Sequence, residues 1–142
     1  MKIFKREPNH WKLRIESEDD LWSLARLARS GMSLGMLGER RDQTTAGEEG
    51  GRAKSAERKK MWIRLRIESS EYQSFSDVLR IHGTIEEAKF DIGSYHTHNI
   101  SIGDEIELSS INPFSASDNS LLQQVIYSGN QSQIALAVVE ND

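Results

Sequence analysis

The stretch Met61-Trp62-Ile63-Arg64-Leu65-Arg66-Ile67-Glu68 alternates apolar and polar residues almost perfectly. Successive side chains of a strand point to opposite faces of a sheet. The alternation therefore predicts a strand with Met61, Ile63, Leu65 and Ile67 against a core and Trp62, Arg64, Arg66 and Glu68 on the other side. Downstream, residues 78–85 give a second strand with Leu79 and Ile81 inward, and residues 95–102 and 105–108 give two more. Gly103-Asp104, flanked by alternating apolar residues, is a turn signal between that pair. Upstream, residues 3–6 and 11–15 form a short pair of strands around Pro8-Asn9, and residues 33–37 a further strand.

Helices frame the strands. Ser17 followed by Asp20 is an acidic form of the capping box, and Leu21, Leu24, Ala25 and Ala28 recur at helical spacing after it. Glu18, Asp19 and Asp20 in the first turn suit the helix dipole. Gly31 is expected just past the helix end. A second helix is expected over 118–128, with Leu121, Leu122, Val125 and Ile126 as its apolar stripe and Gly129 as its stop. One helix followed by many short strands points to a mostly β fold, a small closed β-barrel. The domain reading is a barrel over 1–111, a linker and helix over 112–132, and the start of a second, truncated domain over 133–142. The apolar run Ile134-Ala135-Leu136-Ala137-Val138-Val139 resembles a strand buried on both faces.

Charge is distributed unevenly. The 142 residues carry a net charge of -4, with 28% charged and 37% hydrophobic side chains. Residues 38–66 hold 9 of the 18 basic side chains against 5 acidic ones, whereas residues 67–142 hold 2 basic and 12 acidic. A basic block on an acidic chain is the pattern of a polyanion-facing surface. Between residues 42 and 58 apolar periodicity vanishes, and residues 44–57 are expected to form a long loop of the functional or disordered kind. Arg40, Arg41, Arg52, Lys54, Arg58, Lys59 and Lys60 lie in or beside it, and Arg64 and Arg66 extend the charge onto the sheet. Such a loop can track a phosphate backbone, and Trp62 could stack on a base.

Other chemistries are less well supplied. Glu16, Glu18, Asp19 and Asp20 could hold a divalent cation and support phosphodiester cleavage, although Glu18, Asp19 and Asp20 are consecutive on a helix and diverge. His96 and His98 share a strand face and, with His82, form a conceivable metal site without a diagnostic spacing. There is no phosphate-cradling Gly-rich motif and no nucleophile–base arrangement. With no cysteine there is no disulfide framework and no thiolate metal site. No apolar run is long enough to span a bilayer and the N-terminus lacks a signal-peptide core, so an intracellular protein is expected.

Several segments resemble one family. Asp19-Asp20-Leu21-Trp22 before a helix is similar to the acidic-acidic-Leu-Trp segment of Pelota proteins. Lys54-Ser55-Ala56-Glu57-Arg58 followed by strand 62–68 resembles that family's Ser-x-Arg loop end and the strand after it. Leu79-Arg80-Ile81-His82-Gly83 resembles its Leu-Arg-Ile-x-Gly motif. Gly93-Ser94-Tyr95-His96-Thr97 resembles its Gly-x-Tyr-His-Thr motif, the most specific of the set. The order matches along essentially the whole chain, and residues 135–140 look like the first strand of the family's central domain. One departure is Gly38-Glu39-Arg40-Arg41, where the family often has Thr-x-Arg-Lys: the charge is kept and the hydroxyl lost.

The resemblance implies an N-terminal domain with a twisted, Sm-like barrel. It implies a cytoplasmic, monomeric factor, off the membrane, that recognises stalled ribosomes in the A site, meeting rRNA and mRNA in the decoding region. Ribosome rescue and no-go mRNA decay would follow, with an elongation-factor-like translational GTPase and a recycling ATPase as partners through the full-length protein. The loop over 44–58 would reach toward the mRNA channel. Expected RNA contacts are Arg40, Arg41, Arg52, Lys54, Arg58, Lys59, Arg64 and Arg66, with no cofactor required for binding. The alternative is a divalent-metal-dependent mRNA endonuclease using Glu16, Glu18, Asp19 and Asp20, with the cation on Glu18, Asp19 and Asp20.

Overall fold

In the computed structural model, residues 1–41 and 58–127 are described. The expected loop over 44–57 and the segment 133–142 lie outside them. Seven strands build one antiparallel sheet: β1 (Lys2–Glu7), β2 (His10–Arg14), β3 (Ser33–Arg41), β4 (Arg58–Gln73), β5 (Val78–Glu87), β6 (Tyr95–Ile100) and β7 (Glu105–Ser109). Helix α1 (Glu18–Leu27) connects β2 to β3. A second helix, α2, covers residues 116–127.

The alternation in β4 does what its sequence requires, since Met61, Ile63, Leu65 and Ile67 are all buried. The strand runs well beyond the predicted stretch at both ends and bends at two register shifts against β5, between Arg64 and Leu65 and between Ile67 and Ser69. The bend lets one strand serve two apolar clusters. Met61, Ile63 and Leu65 pack with Ile85, while Ile67 joins the main core with Trp11, Leu13, Leu34 and Leu79. Gly83 is required at the second shift, because a Cβ there would collide with the Arg66 carbonyl oxygen.

Strand order in space is β1-β2-β7-β3-β4-β5-β6. Gly103 does make a turn, with φ +99°, but the strands it joins do not pair with each other. The turn is anchored instead to the end of β2, with Gly103 N–H donating to Ile15 O at 2.7 Å and Ile15 N–H to Asp104 O at 2.9 Å. That anchor sets β7 between β2 and β3. The sheet is mostly β with two helices, as expected, but it does not close, since β1 and β6 are not paired. Apolar side chains of α1 and α2 complete the interior instead. Leu21, Leu24 and Leu27 of α1 and Leu122 of α2 are fully buried in the core shared with β2, β5 and β6.

Both helices begin with the same device. The Ser17 hydroxyl accepts from Asp20 N–H at 3.3 Å, and the Asp20 carboxylate accepts from Ser17 N–H at 3.2 Å. Ser115 and Asp118 reproduce the exchange at 3.1 and 3.3 Å, so α2 starts earlier than position 118. Residues 112–115, expected as linker, are tied down. Phe114 stacks on Trp11 with centroids 3.8 Å apart, and Arg29 grips Asp118 in a fork at 2.7 and 2.9 Å. Helix α1 stops at Leu27, earlier than the glycine signal implied, because Ala28 is already extended. Gly31, at φ +91°, instead directs its N–H onto Ile67 O at 2.9 Å and so sets the entry to β3.

Candidate nucleic-acid interface

The β3–β4 hairpin carries the basic residues, and its register divides them between two faces. Arg40 lies opposite Lys59, on the side that Met36 and Ile63 occupy further down the hairpin. Arg58 and Lys60 follow the alternation of Trp62, Arg64 and Arg66 onto the other side. Arg41 is the last residue of β3, opposite Arg58. Arg52 and Lys54 lie outside the described residues.

Several of these cations are already engaged. Arg40 donates from Nε to Asp91 at 2.7 Å and from Nη1 to Tyr95 O at 3.2 Å and to Nδ1 of His96 at 3.1 Å. Arg66 meets Glu86 at 2.6 Å and donates to Gly31 O at 3.2 Å. Arg64 reaches Glu86 at 3.3 Å and Glu87 at 3.4 Å. Burial works against the charge of Glu86, yet the Ser33 hydroxyl at 2.7 Å and the two guanidinium groups outweigh it and hold the carboxyl below its usual range. Arg58 differs, being 65% exposed with Glu39 no closer than 3.9 Å. Lys60 is exposed beside it. Arg58 is therefore less restrained than Arg40, Arg64 and Arg66. The sequence reading missed the restraining acids Glu86, Glu87 and Asp91. The Glu86-Glu87 pair at the close of the next strand was the available signal, but its register depends on the two shifts.

Two clefts flank the hairpin. One, of about 600 Å³, is lined by Glu39, Arg40, Arg58, His96, His98 and Asn99. His98 donates from Nε2 to Ile63 O at 2.9 Å, and burial lowers its pKa. Burial, then the neighbouring His98, Arg40 and His82, lowers His96 to about 4. Both rings are thus neutral near pH 7. His82 lies on the opposite sheet face, where its Nδ1 meets the Thr97 hydroxyl at 2.8 Å, so the three histidines do not converge. The second cleft, of about 410 Å³, is lined by Lys12, Leu37, Lys60, Trp62, Glu105 and Glu107. Trp62 lies across Gly35, where an added Cβ would stand 2.5 Å from the indole. Its other side is half-exposed beside Leu37, so a stacking surface remains.

The acidic residues at the start of α1 are placed by the helix cap. Asp20, 3% exposed, accepts from Glu16 N–H at 2.9 Å and from Ser17 N–H, and lies 2.7 Å from the Met1 amino nitrogen. Glu16 pairs with Arg14 at 3.3 Å, and Glu18 accepts from the Tyr72 hydroxyl at 3.4 Å. Asp19 is exposed. Among the described residues no group of three or more potential ligands is arranged to hold a metal ion. No helix among them is long and apolar enough to cross a membrane.

An open antiparallel sheet whose interior is completed by helices α1 and α2, with a basic β3–β4 hairpin, defines a mostly β domain with a charged arm. A family model described as the Pelota N-terminal domain matches residues 1–126. The chain belongs to the Pelota family. It is 32% identical over 144 residues to the protein pelota homolog of Methanothrix thermoacetophila, covering 99% of this chain and 40% of that one. It is 44% identical over 111 residues to the homolog of Sulfurisphaera tokodaii, covering 75% and 30%. Thus the chain spans well under half the length of these relatives. Among solved structures, archaeal Pelota in a model of its ribosome-bound form with ABCE1 superposes with a TM-score of 0.71 at 22% identity, covering 87% of this chain and 35% of that one. Dom34 of S. cerevisiae, a translation termination-like factor in RNA quality control that interacts with Hbs1, gives 0.65 at 12% identity, covering 88% and 32%. At these identities the structures speak for the fold.

Proposed function

We propose that this chain is the RNA-facing N-terminal domain of a factor that recognises stalled ribosomes in the A site, promoting ribosome rescue and no-go mRNA decay. The observation that carries the reading is the family match across residues 1–126 together with the basic hairpin that this domain extends. Support for the ribosome as target comes from the ribosome-bound archaeal relative. A translational GTPase and a recycling ATPase are partners of the complete protein on the same footing, since Dom34 interacts with Hbs1 and archaeal Pelota is seen with ABCE1.

The hairpin end is the contact. Arg58, Lys59, Arg41, Arg52 and Lys54 neutralise phosphates of rRNA or mRNA there, and counterion release makes the binding salt-dependent. Arg40, Arg64 and Arg66 contribute by exchanging a carboxylate for a phosphate, which costs them part of the gain. A binding module is preferred to an endonuclease because the Asp20 carboxylate is occupied by the α1 cap. The test is co-sedimentation of the chain with ribosomes across a salt series. Binding should fall steeply with salt, and Arg52→Glu with Lys54→Glu should lower it by roughly tenfold or more at fixed salt. Undiminished binding by that variant would remove the site assignment. Mg²⁺-dependent RNA cleavage that co-purifies with the protein and disappears with Asp19→Asn and Asp20→Asn would instead establish the endonuclease.

A further inference from the structure

The far end of β4 has a different character from its basic start. There Tyr72 meets Trp22 of α1, with ring centroids 4.6 Å apart and planes tilted by 42°. Trp22 is 51% exposed, although its neighbours Leu21 and Leu24 are fully buried. The Tyr72 hydroxyl lies 3.4 Å from Oε1 of Glu18 and 3.5 Å from Oδ1 of Asp77. It carries one proton and can donate to only one carboxylate at a time. Neither Glu18 nor Asp77 has an ion-pair partner among the described residues. Asp77 is held at the hairpin turn by a left-handed backbone, φ 50°, which aspartate adopts at low cost. Phe75, 88% exposed, tops the same turn. Burial first, and then the charges of Glu18 and Asp77, raises the pKa of the Tyr72 phenol.

A half-exposed indole packed on Tyr72, whose hydroxyl meets two carboxylates that have no ion-pair partner among the described residues, is complementary to a flat cation with outward-pointing donors. A guanidinium satisfies both demands at once, stacking on the ring while donating to the carboxylates. An ammonium is a compact, strongly hydrated charge and satisfies them less well. Polynucleotide is disfavoured by like charge. In the sequence, residues 67–142, which hold Tyr72 and Asp77, carry 12 acidic and only 2 basic side chains. We propose that the corner formed by Trp22, Tyr72, Glu18 and Asp77 docks an arginine side chain of a basic protein segment. It lies roughly 45 Å of strand contour from the hairpin end at Arg58, so one strand would join an RNA-facing end to a protein-facing end.

Calorimetric titration of the chain at low ionic strength with a short arginine–glycine peptide tests this. The controls are the same peptide with lysine or with neutral citrulline, and an oligouridylate RNA. Binding should follow the order arginine, lysine, citrulline, with the last undetectable. Trp22→Ala, and separately Glu18→Gln with Asp77→Asn, should each weaken the arginine peptide by roughly tenfold. Trp22→Phe should restore most of the loss, and RNA binding should not change in any of these variants. The proposal is overturned if citrulline binds as well as arginine, or if the folded carboxamide variant keeps full affinity. It is also overturned if the corner proves to bind RNA or a second copy of the chain. The ribosome assay described above has no bearing on this result, so the two readings stand or fall separately.

Discussion

His96 shows how one side chain links the sheet to the base of the basic arm. Its Nδ1 accepts from Arg40 while Asp91 holds the same guanidinium, so the ring must stay neutral for the network to persist. Its pKa of about 4 lies below the ordinary 6.5, chiefly through burial. The unfolded chain therefore takes up the proton first. Stability contributed by His96 is complete above pH 6.5 and is lost as the pH falls from there toward 4, on the order of 2 kcal/mol across that window once solvent screening of the half-exposed ring is allowed for. Denaturant unfolding of wild type and His96→Gln from pH 7.5 to 4 should show a smaller loss in the variant, whose amide still accepts from Arg40. Parallel curves would show that His96 does not drive the acid sensitivity. Arg64 and Arg66 make the complementary point. Alternation alone placed them on the outward face, and they are there. Their restraint by Glu86 could not be read from it, because the acid arrives from another strand across a register shift.

At the level of the element, β4 depends on a missing side chain. Gly83 stands where the strand bends, with the Arg66 carbonyl oxygen occupying the space a Cβ would need. Gly83→Ala forces backbone apart from backbone and should cost about 3 kcal/mol by thermal or urea unfolding, with RNA binding by the surviving folded fraction unchanged. A neutral result would mean that the bulge relaxes freely. The strand itself was legible because its apolar residues alternate, and α1 because its cap and its apolar spacing agree. Other features were not. The placement of β7 between β2 and β3 rests on hydrogen bonds from Gly103 and Asp104 to Ile15, far apart in sequence, and no local pattern encodes them. Sheet closure was expected from strand number, whereas Leu21, Leu24 and Leu27 fill the interior without it. The aromatic corner at Trp22 was partly visible, since Asp19-Asp20-Leu21-Trp22 stood out, but its partner Tyr72 lies on a part of β4 beyond the predicted strand.

For the whole molecule, the body is expected to fold without residues 42–57. Arg41 and Arg58 face each other as the last described pair of the β3–β4 ladder, a geometry that a tight turn can close. Replacing residues 42–57 with Asn-Gly should leave the melting temperature within a few degrees of wild type, because the described core is formed entirely by residues outside that segment. Ribosome binding should fall, and the salt dependence should become shallower by the number of phosphate contacts removed. A large drop in melting temperature would mean that the segment is part of the core. Retained, equally salt-sensitive binding would move the RNA surface to the body, where Lys12, Lys60 and Trp62 line the second cleft.

The position of β7 has a consequence for synthesis. Emerging from the ribosome in order, β2 and β3 exist for the time it takes to make most of the domain before the strand that belongs between them appears. Until then each presents an unpaired edge, and edges of that kind recruit strands from other chains. A chain released before residue 105 would therefore be sticky rather than merely incomplete, because completion of the sheet waits on the most distant strand pairing in the sequence.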